Sequence, residues 1–155
     1  MVFTAQEILK QERELTFEDF SHKDAHDLAE AILSIYPGFI EGKTITEGLG
    51  IRIFMDGLLV YQYLGNDKNE DSWLRRKENT VLLTKHSSIY VWTQYEENGG
   101  YREFENDERY VICGGGFPLV VKGEFRGSIC VSGLEHRDDH RLLILGIEKF
   151  LKTRG

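Results

Sequence analysis

Residues 21–38 place their apolar side chains at helical spacing. In SHKDAHDLAEAILSIYPG, Ser21 and Asp24 have the spacing of a capping box, and Pro37-Gly38 is a helix-ending pair. The apolar positions that would share one helix face are Ala25, Leu28, Ala29, Ile32 and Tyr36. The segment therefore predicts an amphipathic helix that begins after Ser21.

The segment IRIFMDGLLVYQYL alternates apolar residues on both sides of Asp56-Gly57. This dipeptide is typical of a two-residue hairpin turn, in which both central residues take positive φ. The predicted cross-strand pairs are Met55 with Leu58, Phe54 with Leu59, Ile53 with Val60, and Arg52 with Tyr61. Both faces of this hairpin are apolar, so we expect the chain's own helices or a second subunit to cover the second face.

The remaining chain alternates helical and strand patterns. Residues 70–86 predict a helix that begins with acidic residues, and a last helix is expected from about Glu135. Between them, residues 110–133 predict a second strand pair, while residues 87–109 mix β-branched, aromatic and turn residues and leave the element open. This order predicts an α+β fold in which helices flank an antiparallel sheet, with residues 1–155 forming a single domain.

Composition narrows the class of partner. The formal net charge is −7, which argues against nucleic acid or an anionic membrane surface as the main partner. No run of about 18 apolar residues is found, and the N-terminal segment is charged, so we expect a cytoplasmic protein. In that reducing compartment, Cys113 and Cys130 are expected to be small buried side chains and not a disulfide.

Three consecutive glycines, Gly114-Gly115-Gly116, precede Phe117-Pro118. The run is neither a phosphate-binding loop nor a dinucleotide fingerprint, because no Gly-Lys-Ser/Thr end and no helix follow directly. We favour a tight strand entry beneath a helix, with Pro118 on an edge strand or at a first strand position where its missing N–H costs nothing. A ligand-binding loop is the alternative.

Ser132-Gly133 joins the last predicted strand to the last helix. Backbone N–H groups at such a corner accept anions readily, but Ser132 acting as an N-cap is the simpler interpretation. In the same helix, His136 and His140 lie four residues apart, a spacing that can chelate a metal. No third ligand is signalled, so we predict no metal site and expect these histidines to pack at the helix end or at a subunit boundary.

Arg75-Arg76-Lys77 is a compact basic run in an acidic protein. Consecutive helical residues fan around the axis, so the three side chains cannot all serve one site. We expect a solvated face, with Asp71 pairing with Arg75; the alternative is an inward-turned arginine that binds a carboxylate across subunits. No familiar nucleophile motif accompanies the serines or cysteines, and no catalytic residue is identified.

Five motifs in order resemble the haem-degrading-domain family of GlcG-like and HbpS-like proteins, in particular its uncharacterised cytosolic branch. The motifs are Trp73-Leu74-Arg75-Arg76-Lys77, His86-Ser87-Ser88, Gly114-Gly115-Gly116-Phe117-Pro118, Val131-Ser132-Gly133-Leu134 and Asp139-His140. The resemblance covers the chain from about Trp73 to its C-terminus.

The resemblance implies a profilin-like fold with a central antiparallel sheet of about five strands flanked by helices. It also implies a ring-like homo-oligomer such as an octamer, and haem or a related tetrapyrrole as a ligand. The candidate ligand-binding residues carried over are Arg75, Arg76, Lys77, His86, Gly114, Gly115, Gly116, Phe117, Pro118, Ser132, Gly133, Asp139 and His140. None of them corresponds to a haem ligand of the family.

Three functions stay open at this point. The first is an oligomeric binding protein or sensor for a haem-like or other small molecule. The second is an enzyme that acts on haem or another small substrate at a subunit interface, using His140, Asp139 and Arg76. The third is an adaptor that binds other proteins through aromatic segments such as SSIYVWTQYEE.

Overall fold

A computed structural model of the protein describes residues 3–42 and 47–154. The helices are α1 Ala5–Glu14, α2 His22–Ile35, α3 Ser72–Thr84, α4 Ser88–Asn98 and α5 His136–Arg154, and the strands are β1 Gly50–Met55, β2 Leu58–Leu64, β3 Gly116–Val121 and β4 Glu124–Ser132. Two short 3₁₀ helices cover Tyr36–Phe39 and Arg102–Asn106. The strands form one antiparallel sheet in the order β2-β1-β4-β3. The α+β prediction is confirmed, with four strands in place of about five.

The cap predicted for α2 is present. Ser21 Oγ accepts a hydrogen bond from the Asp24 N–H at 3.0 Å, and the Asp24 carboxylate accepts one from the Ser21 N–H at 2.7 Å. The apolar face of α2 packs with α5 on one face of the sheet, and residues such as Ile32, Ile129 and Ile147 are fully buried there. This layer is the main hydrophobic core.

The first hairpin turns at Asp56-Gly57, where φ is 53° and 81° as the turn prediction requires. The two pairs next to the turn are as predicted, but those predicted for Ile53 and Arg52 are wrong: these residues pair with Tyr61 and Gln62. A bulge adds one residue to β2, and each later side chain therefore moves to the opposite face.

Helix α3 covers the second face of the sheet, so the chain's own helix takes the place that a second subunit could have filled. Arg52 on that face donates to Glu78 of α3 at 2.9 Å, and Leu74 and Val81 are buried against the strands. Strand β2 at the sheet edge keeps exposed apolar side chains. These are Leu58, Leu59, Tyr63 and Leu64.

The segment whose order the sequence left open is mainly helix α4. Ser87 caps it by accepting the Tyr90 N–H, and Gly99 ends it with φ of 72°. Its β-branched residues Val91 and Thr93 are buried. None of the helices in the described part of the chain is long and apolar enough to cross a membrane.

The glycine run is the tight strand entry that the sequence predicted. Gly115 has φ of 121°, and a Cβ there would lie 2.5 Å from Lys77 Nζ and 2.6 Å from the Val131 carbonyl oxygen. A Cβ at Gly114 would lie 2.7 Å from the His136 carbonyl oxygen. Pro118 lies on β3, an edge strand, as expected. The glycines thus allow the chain to pass directly beneath α3 and α5.

Replacing Gly115 with alanine should destabilise the protein by about 2 kcal/mol or more, because a Cβ adds backbone strain and meets a backbone oxygen. Urea unfolding measures the change. Gly38→Ala is the matched control, since nothing lies within 4 Å of that Cβ position. Equal stability of the two variants would contradict the close approach.

Candidate functional site

A buried ion pair joins α3 to the corner between β4 and α5. Lys77 Nζ donates to Asp139 Oδ2 at 2.9 Å and to the Val131 carbonyl oxygen at 2.8 Å. The second oxygen of Asp139 accepts the Leu134 N–H at 2.9 Å. Lys77 and Asp139 are each 2% exposed, so this pair is held within the protein.

Burial is the largest influence on the Asp139 carboxyl. It raises the pKa of Asp139 to about 6, while the Lys77 ammonium and the hydrogen bond from Leu134 act in the opposite direction. Because this folded-state pKa exceeds the ordinary 3.8, ionisation of Asp139 makes folding less favourable as the pH rises from 3.8 to about 6. The ionised form of Asp139 is therefore stabilised by Lys77 and by the Leu134 N–H, and not by water.

The three basic residues of α3 diverge, as the helical geometry predicted. Arg75 is exposed and pairs with Asp71 at 2.9 Å, as expected, and Arg76 donates two N–H groups to the Tyr110 carbonyl oxygen at 2.9 and 3.2 Å. The solvated-face prediction is wrong for Lys77. The residue that turns inward is this lysine, and its carboxylate partner belongs to the same chain.

A cavity of about 420 Å³ lies beside the ion pair. Its lining residues are Lys68, Trp73, Lys77, Cys113, Ser132, Gly133, Leu134, His136 and Asp139. The lining thus combines the apolar side chains of Trp73, Leu134 and Cys113 with two lysines and one carboxylate. This arrangement can accept a small molecule that has an apolar body and a polar group rich in oxygen.

The second lysine comes from the loop between β2 and α3. Lys68 Nζ donates to Ser132 Oγ at 3.3 Å. Within residues 3–42 and 47–154, no carboxylate lies at salt-bridge distance from Lys68. Partial burial and the nearby Lys77 charge lower the pKa of Lys68. Ser132 therefore ends β4 as a partner of Lys68, and its interpretation as an N-cap of α5 is wrong, since that helix begins at His136.

His136 stands at the helix end, where the sequence predicted a packed histidine. Its Nδ1 accepts the Gly114 N–H at 2.9 Å, and its ring contacts Trp92 with centroids 4.9 Å apart. Burial lowers the pKa of His136, so the ring is neutral near pH 7 and carries its proton on Nε2.

Neither the histidine nor the cysteine of the cavity fits as an axial ligand of haem iron. A ligating histidine normally donates its second N–H to an acceptor, whereas His136 Nδ1 itself accepts one. Burial raises the pKa of the Cys113 thiol, which disfavours the thiolate that iron requires. Among the described residues, no group of three or more histidine, cysteine or acidic side chains could hold a metal ion.

Two further candidate histidines lie away from the cavity. His140 is fully buried, its Nε2 lies 2.8 Å from Gln11 Oε1, and burial lowers its pKa to about 3. His86 lies just before α4 with Nδ1 2.8 Å from Glu12, which raises the pKa of His86. Neither ring lines the cavity.

The structure brings part of the candidate set together. The candidates that line the cavity are Lys77, Ser132, Gly133 and Asp139. Gly115 packs against Lys77, and Arg76 lines an adjoining cavity of about 250 Å³ that shares Trp73 and Cys113. The candidates that line neither cavity are Arg75, His86, Gly114, Gly115, Gly116, Phe117, Pro118 and His140.

Sequence reasoning missed Lys68 as a site residue. It lies in the polar loop NDKNED, which carries no motif, and only the fold brings it next to Ser132. Trp73 did carry a signal, because it opens the motif Trp73-Leu74-Arg75-Arg76-Lys77. The sequence indicates His136 only as a metal ligand or a packing residue.

Comparison with known proteins identifies a family and a similar curated protein. The family model described as "Haem degrading protein HbpS-like" matches residues 45–148. A UPF0303 protein of Psychromonas ingrahamii is 31% identical over 157 residues, covering 97% of this chain and 95% of the relative.

Two solved structures share the fold. The crystal structure of the Ybr137w protein superposes with a TM-score of 0.81 at 19% identity, covering 95% of this chain and 87% of that one. The crystal structure of a PduOC:heme complex has a TM-score of 0.64 at 18% identity, covering 83% of this chain and 93% of that one.

Lys77→Met should destabilise the protein by about 3–5 kcal/mol, because it leaves the Asp139 carboxylate buried without its cation. Urea unfolding at pH 7 measures the loss. The double variant Lys77→Met/Asp139→Leu should recover most of it, since neither charge then remains. Lys152→Met, at an exposed lysine, is the control; a Lys77→Met variant as stable as this control would contradict the buried pair.

Proposed function

Because this chain belongs to the HbpS-like family of haem-degrading proteins, we propose that it binds a small organic molecule in the cavity beside Lys77 and Asp139. The observation that carries the proposal is the composition of the cavity walls. Two lysines and one carboxylate line the same cavity as the apolar side chains of Trp73 and Leu134. The ligand has a flat or compact apolar body and a head group with oxygen acceptors.

The head group contacts Lys68. Lys77 already has a carboxylate partner, whereas Lys68 has only the Ser132 hydroxyl among the described residues. A carbonyl or carboxylate oxygen at this point gains a hydrogen bond from the Lys68 amine and leaves the buried ion pair intact. The apolar body of the ligand lies against Trp73, whose side chain is otherwise 48% exposed.

Haem is the second candidate ligand, and the observation that favours it is the haem complex solved for PduOC, a protein of similar fold. The tautomer of His136 and the neutral thiol of Cys113 argue against iron ligation in this cavity. Among the described residues, Asp139 and Arg76 line two adjoining cavities and His140 lines neither of them, so the enzymatic alternative would need a subunit interface to bring the three together.

A homo-oligomer is part of the proposal. Strand β2 is an edge strand, and its apolar side chains include Leu58 and Leu59, which are 57% and 46% exposed. Exposed apolar edges of this kind favour pairing with another chain. A ring such as the octamer implied by the resemblance would bury this edge.

A fluorescence titration with benzoate tests the ligand site. Benzoate should quench the protein in a saturable way, because Trp73 lies in the cavity wall. Lys68→Met should weaken binding about tenfold or more, since a hydrogen bond to a charged group contributes about 1.5–3 kcal/mol. Lys152→Met should bind as the unmodified chain does; no saturable quenching, or equal binding by both variants, would contradict the proposed site.

Hemin provides the second arm of this titration. Any Soret band that appears should be unchanged in His136→Ala, because that ring has no free acceptor nitrogen. A shift that depends on His136 would identify iron ligation and overturn the choice of a metal-free ligand. Native mass spectrometry of the same samples counts the subunits, and a lone protomer at every concentration would contradict the oligomer.

A further inference from the structure

The two lysines of the cavity differ in their partners. Lys77 is 2% exposed and holds its charge through Asp139 at 2.9 Å. Lys68 is half-buried, has the Ser132 hydroxyl at 3.3 Å as its hydrogen-bond acceptor, and has no carboxylate at salt-bridge distance in the part of the chain that the structure describes. Lys77 therefore has a carboxylate counter-ion, whereas the ammonium form of Lys68 has none at salt-bridge distance among the described residues.

An amine of the second kind can act as a nucleophile. Lysines become reactive when they are partly desolvated or lie next to another cation, because both conditions favour the neutral amine. The charged groups near Lys68 are Lys77 from α3, Asp139 from α5 and Glu70 from its own loop. Desolvation and Lys77 outweigh the two carboxylates, and the pKa of Lys68 is lowered.

We propose that Lys68 forms an imine with a small aldehyde or ketone that enters the cavity. This inference rests on the proposed function and deepens it, because it makes the oxygen-bearing head group of the ligand a carbonyl. The apolar wall of Trp73 and Leu134 suits a carbonyl that is attached to an aromatic or branched apolar body.

The reaction balances without an oxidant or a reductant. The lone pair of neutral Lys68 Nζ bonds to the carbonyl carbon, and the electron pair of the C=O π bond moves to oxygen, which takes up a proton. Nitrogen loses a proton, giving a carbinolamine. Loss of that hydroxyl with one further proton, as water, leaves a carbon–nitrogen double bond, so amine and carbonyl give imine and one water.

Neighbouring groups assist this step at the carbonyl oxygen. Lys77 Nζ uses two of its three N–H groups for Val131 and Asp139, so one remains for an oxygen in the cavity. The Ser132 hydroxyl lies beside Lys68 and can donate to the same oxygen. Both groups act by hydrogen bonding to the oxygen on which negative charge develops.

Reductive trapping of the unmodified folded protein tests the proposal. The protein is incubated with benzaldehyde and sodium cyanoborohydride at pH 7.5 to 8 (about the range in which exposed lysines stay protonated), and the benzylated lysines are identified by peptide mass mapping. Lys68 should be labelled several-fold faster than Lys152, which is exposed. Accessibility alone predicts the reverse order, so this result cannot arise from exposure.

Two further arms separate this inference from the proposed function. Excess benzoate should protect Lys68 and not Lys152, and Lys68→Arg should lose the fast label while it still binds benzoate. Benzoate binding with slow labelling of Lys68 would overturn the imine and leave the ligand site standing. Fast labelling of Lys68 that excess benzoate does not block would contradict the ligand site, and with it the cavity as the place where the imine forms.

Discussion

The buried pair of Lys77 and Asp139 is the constraint on which the site depends. Two charges that are each 2% exposed must remain together, because separating them would leave an uncompensated charge in the interior. The pair fixes α3 over the second face of the sheet and fixes the start of α5 relative to the end of β4. Gly115 is required directly beneath it, since a Cβ there would lie 2.5 Å from the ammonium.

The cavity follows from the same constraint. The ammonium of Lys77 holds the carbonyl of Val131, and the carboxylate of Asp139 holds the N–H of Leu134, so the corner that leads into α5 is kept open beside Trp73. The loop after β2 then adds Lys68 at the rim of this corner. In this chain, the cavity at that corner is lined by two amines, one carboxylate and the aromatic side chain of Trp73.

The parts of the fold that local chemistry decides could be predicted from the sequence. The capping box of α2 and the turn at Asp56-Gly57 depend on neighbouring residues. The glycine run predicted a place where the backbone passes close to other groups, because only glycine tolerates such an approach. The bulge in β2 has no local signal. The β-branched residues Val91 and Thr93 of α4 favour a strand by propensity, but they are buried in a helix whose Trp92 packs against Phe3 and His136, so contacts with distant residues outweigh that propensity.

The site was less predictable, for a physical reason. Lys77 and Asp139 are 62 residues apart in the sequence, and neither residue type indicates burial by itself. The motifs placed both residues in the candidate set, but they could not show that the two form a pair. Lys68 lies at the site only because the loop between β2 and α3 passes there. His140 is next to Asp139 in α5, but its ring does not line the cavity.

The most direct test of the central claim is a carbon-13 NMR titration of the Asp139 side-chain carboxyl. The account predicts a midpoint near the value of about 6 that burial gives this group, with no change of fold over the titration. In Lys77→Met the midpoint should rise further, because the lysine lowers the pKa of Asp139 against the effect of burial; a midpoint that is the same with and without Lys77 would contradict a buried pair at the centre of the site.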